Sequence, residues 1–186
     1  MINTLIKEYK MGIEIQILDW IQNLRSPAGD ILMPVITSLG NAGIIWIALT
    51  IVLLIFPKTR KTGAVLTAAL ILDVILCNGM IKNIVARMRP YDRNPVVELL
   101  IQGPGDYSFP SGHTAASFAA VSALYFGGER YLWKPALVLA VLIAFSRLYL
   151  YVHYPTDVLG GVLLGMLCGY LGNRIVQGNR KNVKSD

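Results

Sequence analysis

Apolar and polar residues fall in long blocks along the chain. Ile13, Ile15, Ile17, Leu18, Ile21 and Leu24 recur at helical spacing among Glu14, Gln16, Asp19 and Gln22. This pattern predicts an amphipathic helix lying in a membrane interface. Pro27, Gly29 and Asp30 are expected to break it, and residues 31–39 are apolar but short. Five stronger apolar runs follow, at residues 42–56, 63–81, 114–126, 132–145 and 156–176. The fourth continues in pattern to Tyr151, and Asp73 and Asn78 interrupt the second. Neither a repeat nor a low-complexity linker separates them. The chain therefore reads as one all-α domain over residues 1–186, an integral membrane bundle of five to six spans. Its first 40 residues form an interfacial region with one further crossing or none.

Composition agrees with this pattern. Of 186 residues, 54% are hydrophobic and 15% charged. Five spans of about 20 residues would use about 100 residues, and a soluble domain would lack the polar surface to cover that much apolar chain. A disordered chain and a coiled coil are excluded on the same ground. No short apolar core followed by a small-residue cleavage site opens the chain, so no removable signal is expected. Cys77 and Cys168 lie inside apolar runs and read as buried core residues. Gly161, Gly165 and Gly169, and likewise Ala115, Ala119 and Ala123, recur four apart and read as stripes for close helix packing.

The net charge is +6, from 17 Lys and Arg against 11 Asp and Glu. On such a chain the surplus points to anionic lipid and cytoplasmic loops, not nucleic acid. Lys58, Arg60 and Lys61, then Arg130 and Lys134, then Arg174, Arg180, Lys181 and Lys184 fall on one face if each run crosses once. By the positive-inside rule that face, with the C-terminus, is cytoplasmic. The opposite face should be poor in cations, yet it carries Lys82, Arg87, Arg89, Arg93 and Arg147. An anionic ligand at the membrane surface would account for them.

Both histidines of the chain fall on that face. His113 stands in Pro110-Ser111-Gly112-His113, before the third strong run, and His153 in His153-Tyr154-Pro155-Thr156-Asp157, before the fifth. Ser111 and Gly112 leave backbone N–H groups at a helix start, which suits an anion. Asp157 can fold back to hold the His153 ring in one tautomer. Lys82 and Arg89 are seven residues apart, about two helical turns, and are expected on one helical face. With Arg147 they match the three non-bridging oxygens of a phosphoryl group. The chemistry that follows is in-line attack by His153 and a phosphohistidine, with His113 protonating the leaving oxygen. The three cations do the neutralising, so neither metal nor cofactor is expected.

These residues resemble the three-part signature of the type 2 phosphatidic acid phosphatase superfamily. The parts are Lys82 to Arg89-Pro90, Pro110-Ser111-Gly112-His113, and Ser146-Arg147 through His153 to Asp157, spanning residues 82–157. The resemblance implies His153 as nucleophile, Asp157 as its partner and His113 as proton donor. It implies phosphate binding by Lys82, Arg89, Ser111, Gly112 and Arg147. Hydropathy selects the membrane branch, whose small bacterial members dephosphorylate isoprenoid diphosphates, phosphatidylglycerol phosphate or related lipids. Undecaprenyl diphosphate, cleaved on the outer face of a bacterial plasma membrane, is the expected substrate. The rivals are a phosphatidylglycerol phosphate or phosphatidic acid phosphatase and, from another class, a transporter or binding protein without turnover. No obligatory protein partner is inferred. Three further readings concern the surroundings. Asp73 is expected to hydrogen-bond a neighbouring helix, involving Asn78, or else to serve function. Val96, Val97, Leu99, Leu100 and Ile101 form either an interfacial element where a lipid tail enters or a covering loop. Tyr149, Tyr151 and Tyr154 read as an aromatic belt.

Overall fold

The computed structural model describes residues 12–129 and 131–183, with side chains described as far as residue 178. Residues 1–11, Arg130 and Lys184, and the side chains of Arg180 and Lys181, lie outside that description, so the loop-charge reading stands on the remaining cations.

All regular structure in the described residues is helical. Helix α1 covers Ile13–Asn23 and α2 covers Pro27–Leu39. The break between them is shorter than expected. Pro27 and Asp30 open α2 instead of interrupting it, because Pro needs no N–H in a first turn and Asp favours the positive end of a helix. Ser26 caps the start, accepting from Gly29 N at 3.2 Å. A short 3₁₀ turn at Asn41–Gly43, with Ala42 at φ 49° and Gly43 at φ 67°, bends the chain by 45° into α3, Ile44–Ile55. Helix α4, Arg60–Asp73, runs into a π-helical segment, Val74–Ile81, and then one α turn, α5, Lys82–Val85. A single turn α6, Pro90–Arg93, precedes a long irregular loop. Helices α7 (Gly112–Gly127), α8 (Trp133–Tyr149) and α9 (Pro155–Val183) complete the chain.

Helices α4, α7 and α9 form the centre. Val65, Leu66 and Ala69 of α4 pack with Ala115, Ala119 and Ala123 of α7 and Cys168 of α9. The small-residue stripes do what their spacing implies. A Cβ on Gly161 would stand 2.7 Å from Ser111 O, and one on Gly165 would stand 2.8 Å from Ala119 N. Cys77 and Cys168 are buried and free.

Two stretches among the described residues are long and apolar enough to cross a membrane, Arg60–Arg93 and Pro155–Gly178. The bent pair of α2 with the run to Ile55 would make a third. The expected count of five to six is not reached by length. Helices α3, α7 and α8 have 12, 16 and 17 residues, or about 18, 24 and 26 Å, against a hydrocarbon core of about 30 Å.

The antiparallel order puts one set of helix ends together: the exit from the π segment, the start of α7, the end of α8 and the start of α9. Helix α1 braces this end. Ile15 and Leu18 pack on Tyr151 and Tyr154, with Val97 and Leu99 against the same cluster. The three tyrosines are therefore internal struts, not a belt. Tyr149 Oη donates to Asp30 (2.8 Å), Tyr151 Oη donates to Asp19 (2.7 Å), and the Tyr154 ring lies under Arg87. The hydroxyls of Tyr149 and Tyr151 are drawn to acids on α2 and α1, which offsets the cost of burying them, whereas the buried Tyr154 hydroxyl has no partner among the described residues.

Candidate active site

The gathered helix ends enclose a cavity of about 380 Å³. Lys82, Arg89, Gly112, His113, Arg147 and His153 line it together with Asp73, Asn78 and Asp106. Three separate stretches of sequence thus meet around one space.

Lys82 and Arg89 do not meet there by helical periodicity. The helix ends at Val85, and Ala86, at φ 47°, turns the chain. Arg89 is extended, and Pro90 opens the next turn. What joins the two cations is Asp106. Its carboxylate bridges Lys82 Nζ and Arg89 Nη2 (2.5 Å), and its carbonyl accepts from Arg89 Nε (2.7 Å). Burial raises the Asp106 carboxyl, but the two cations outweigh this and hold it at about 2.

Arg89 Nη1 donates to Val152 O at 2.7 Å and lies 3.2 Å from His153 Nε2. Arg147, in the last turn of α8, is 2% exposed, and its Nη1 donates to Thr37 of α2 at 2.5 Å. Among the described residues its Nε has no partner. Tyr151, at φ 60°, reverses the chain after α8 and returns His153 to the cavity.

His153 is 1% exposed. Burial pushes its imidazole down to about 3; Asp157 opposes the shift, while Arg147 and Arg89 add to it. The ring is neutral at pH 7, and Nε2 faces the cations. Nδ1 faces Asp157 Oδ2 at 3.5 Å, beyond a good hydrogen bond. Oδ2 is held instead by Ser108 Oγ (2.5 Å) and Tyr154 N (2.8 Å), and Oδ1 by Arg87 Nη1 (2.6 Å).

His113 stands across the cavity, its Nε2 2.9 Å from Asn41 Oδ1. Gly40 makes room for it, since a Cβ there would come within 2.8 Å of His113 Cδ2. Gly112 lines the cavity near Lys82, but Ser111 lies fully buried beside it. The Ser111 N–H is not free as expected: it donates to Asp157 O at 3.0 Å, and Ser111 Oγ accepts from Thr114 Oγ1 at 2.9 Å.

Asp73 is 3% exposed and lines the cavity, and among the described residues its Oδ1 has no hydrogen-bond partner. The bond expected toward Asn78 is not made. In an α-helix the nine residues from Asp73 to Lys82 make about two and a half turns and would put them on opposite sides. The wider π turns bring Asp73, Asn78 and Lys82 to one wall. Residues 94–111 carry no helix, and Val97 and Leu99 pack inward, as a covering loop would.

Reading the sequence missed Asp106, Ser108, Thr37 and Asn41 as members of this region and had Arg87 only as one of the cations on this face. Asp106 offered one signal, an acid in the loop that leads directly into the Pro110-Ser111-Gly112-His113 stretch. The others are ordinary polar residues, and the fold alone brings them in.

The model of the PAP2 superfamily matches residues 61–181. The chain belongs to the PAP2 superfamily. Among its relatives, a protein of Sulfolobus acidocaldarius named undecaprenyl-diphosphatase is 35% identical over 131 residues, 70% of this chain. The match spans 63% of that relative's own length. A lipid A 4'-phosphatase of Bacteroides thetaiotaomicron is 29% identical over 177 residues, covering 88% of this chain and 77% of the relative. The crystal structure of a transmembrane PAP2-type phosphatidylglycerolphosphate phosphatase from Bacillus subtilis superposes with a TM-score of 0.73 at 27% identity, covering 96% of this chain and 92% of that one. The PAP2 match takes in all three motif stretches and the cavity they line, apart from the edge formed by Gly40, Ala42, Gly43 and Ile47.

Proposed function

We propose that this PAP2 member is a membrane phosphatase that hydrolyses a lipid phosphate or diphosphate through a phosphohistidine, with undecaprenyl diphosphate as its substrate. The observation that carries the reading is the neutral, buried His153 with Nε2 3.2 Å from Arg89, in one cavity with Arg147, Lys82 and His113.

A terminal phosphoryl group entering there would take over the donors of Arg89, Lys82 and Arg147. His153 Nε2 attacks phosphorus, and the bond to the leaving oxygen breaks on the opposite side, where His113 supplies the proton; burial and the nearby cations hold His113 down to about 3, and it takes up that proton with the anionic phosphoryl group, whose charge raises it. The ring becomes cationic on attack, and Asp157, facing Nδ1, stabilises that charge. Water then attacks phosphorus, the P–N bond breaks and phosphate leaves. The cations neutralise the equatorial oxygens throughout, so the scheme needs no metal.

The names of the undecaprenyl-diphosphatase relatives favour the isoprenoid substrate. A hydroxylated headgroup is the second reading. Asp73 and Asn78 line the cavity, and the unpaired Asp73 oxygen could accept from a glycerol or sugar hydroxyl. Placement follows from the same proposal. The site opens on the outer face of a bacterial plasma membrane, the C-terminus is inside, and α1 lies in the interface with Ile13, Ile17, Trp20 and Leu24 turned outward.

The test is phosphate release from undecaprenyl diphosphate, phosphatidylglycerol phosphate and phosphatidic acid, side by side in detergent, by the wild type and by His153→Ala. Fast turnover of one lipid, no release by the variant and a trapped phosphohistidine at residue 153 support the reading. A His153→Ala protein with normal release refutes the mechanism. Lipid binding without turnover by the wild type would make the chain a transporter or binding protein.

A further inference from the structure

Arg87 lies among the six residues between Lys82 and Arg89, where the motif specifies no residue type. It does not line the cavity of about 380 Å³, though it lines the adjoining one with Lys82, Arg89 and Asp106, and it touches the carboxylate behind the nucleophile. Nη1 donates to Asp157 Oδ1 at 2.6 Å and to Thr156 Oγ1 at 2.7 Å. Nη2 donates to Glu14 Oε2 of α1 at 2.5 Å, and the guanidinium centre lies 3.9 Å from the Tyr154 ring centroid. Glu14 Oε1 accepts from Thr156 N (3.0 Å) and Thr156 Oγ1 (2.6 Å), closing the first turn of α9.

Asp157 is fully buried. A carboxylate in that position requires a counter-charge and fixed donors. Ser108 and the Tyr154 N–H hold Oδ2, and Arg87 is the cation on Oδ1. We propose that Arg87 is a positioning residue of the reaction: it fixes the Asp157 carboxylate against His153 Nδ1 and carries its counter-charge while the imidazole is neutral. The proposal rests on the reading of His153 as nucleophile.

The electrostatics of the ring show why a counter-charge matters. Arg89 and Arg147 face His153 from the cavity, Lys82 adds a positive charge from α5, and His113 stands opposite on α7. Burial and the two arginines favour a neutral ring. Asp106 is already committed to Lys82 and Arg89. Asp157, on the Nδ1 side, pulls the other way. With Arg87 in place that pull is divided between two cations once the ring is charged, and is satisfied by Arg87 before then. Without Arg87 the buried carboxylate would hold a proton on the imidazole and remove the lone pair that attacks.

The experiment is the pH profile of kcat/KM for the full chain in detergent, with whichever lipid of the panel is turned over. For Arg87→Gln the acid limb should move up by about one pH unit or more, with KM near wild type. Activity should recover toward alkaline pH. Arg87→Lys, which keeps the charge, should return the limb to its wild-type position while kcat stays about tenfold low from the lost fork. Glu14→Gln frees α1 but keeps the Arg87–Asp157 pair, so it should lower the melting temperature and leave the limb unmoved.

A folded Arg87→Gln protein with a wild-type profile overturns the proposal. So does a Glu14→Gln protein whose limb moves as far as that of Arg87→Gln, which would make the network a structural clamp. If Arg87→Gln does not fold, Arg87→Lys decides by itself: a tenfold loss in kcat with an unmoved limb supports the role, and wild-type kcat overturns it. If His153→Ala is dead while Arg87→Gln is unaltered, this inference alone fails. If His153→Ala is active, the nucleophile reading fails first.

Discussion

Replacing Arg147 with methionine should separate activity from stability. The guanidinium is 2% exposed, bonded through Nη1 to Thr37, and makes none of the ion pairs found among the described residues. Lys82 and Arg89 share a carboxylate, whereas Arg147 brings an uncompensated charge to the cavity. A hydrogen bond to a charged group contributes about 1.5–3 kcal/mol. A guanidinium fork offers two, so an incoming phosphoryl group stands to lose about 3–6 kcal/mol of binding in the transition state, or about 10²–10⁴ in kcat/KM. For the fold the sign is opposite. Exchanging an unpaired buried cation for an apolar side chain of similar length is neutral or stabilising by about 1–4 kcal/mol. Phosphate release and thermal unfolding, measured on the same detergent preparation with and without orthophosphate, read both effects. The expected result is a hundredfold or greater loss of kcat/KM with an unchanged or raised melting temperature, and loss of the stabilisation that orthophosphate gives the wild type. Activity within about threefold of wild type would refute the assignment. So would a loss of activity accompanied by a fall in melting temperature, which would show that Arg147 holds the fold through Thr37.

Three further outcomes are expected. His113→Ala should slow hydrolysis of a lipid phosphate far more than that of p-nitrophenyl phosphate, whose leaving group needs no proton; equal losses count against the proton-donor role. Asp106→Asn releases Lys82 and Arg89 from their carboxylate and should lower the inhibition constant of orthophosphate severalfold, and an unchanged constant would show that Asp106 does not compete with phosphate. The same pair has a pH signature: the Asp106 carboxyl is held at about 2 against an ordinary 3.8, so its contribution is present above about pH 4 and is lost as pH falls toward 2. The wild-type melting temperature should fall more steeply across that window than that of Asp106→Asn. Gly165→Leu should destabilise the bundle by about 1–3 kcal/mol or more by overpacking α9 against Ala115 and Ala119 of α7; a normal melting temperature would mean that the helices separate at little cost.

The motif residues were legible because charged residues and the chain's two histidines keep fixed spacings, and the apolar runs were legible because these helices are apolar on exposed as well as buried faces, which leaves few polar positions. The supporting groups were not. Arg87 was visible as one of several cations on a face that should lack them, but nothing in its neighbourhood shows that it turns toward Asp157 while Arg89, two residues on, turns toward the cavity. Both lie beyond Ala86, whose left-handed φ ends the helix, a conformation a helical pattern does not announce. Tyr149, Tyr151 and Tyr154 looked like interface residues because their spacing near a helix end is the same in either case. The partners of Tyr149 and Tyr151, Asp30 and Asp19, are more than a hundred residues away in sequence. The break after α1 was legible but the start of α2 was not, because Pro27, Gly29 and Asp30 end one helix yet are good residues in the first turn of the next.

The π segment leaves this protein sensitive to length where it is tolerant of side-chain chemistry. Val74 to Ile81 is mostly a plain apolar stretch, and many exchanges there would pass unnoticed by a hydropathy scan. Removing one residue between Asp73 and Lys82 would rotate everything beyond it by about a quarter of a turn, carrying the lysine out of reach of its neighbours while every motif letter survived. Descendants of this chain can be expected to drift in the identity of those eight residues and to hold their number fixed.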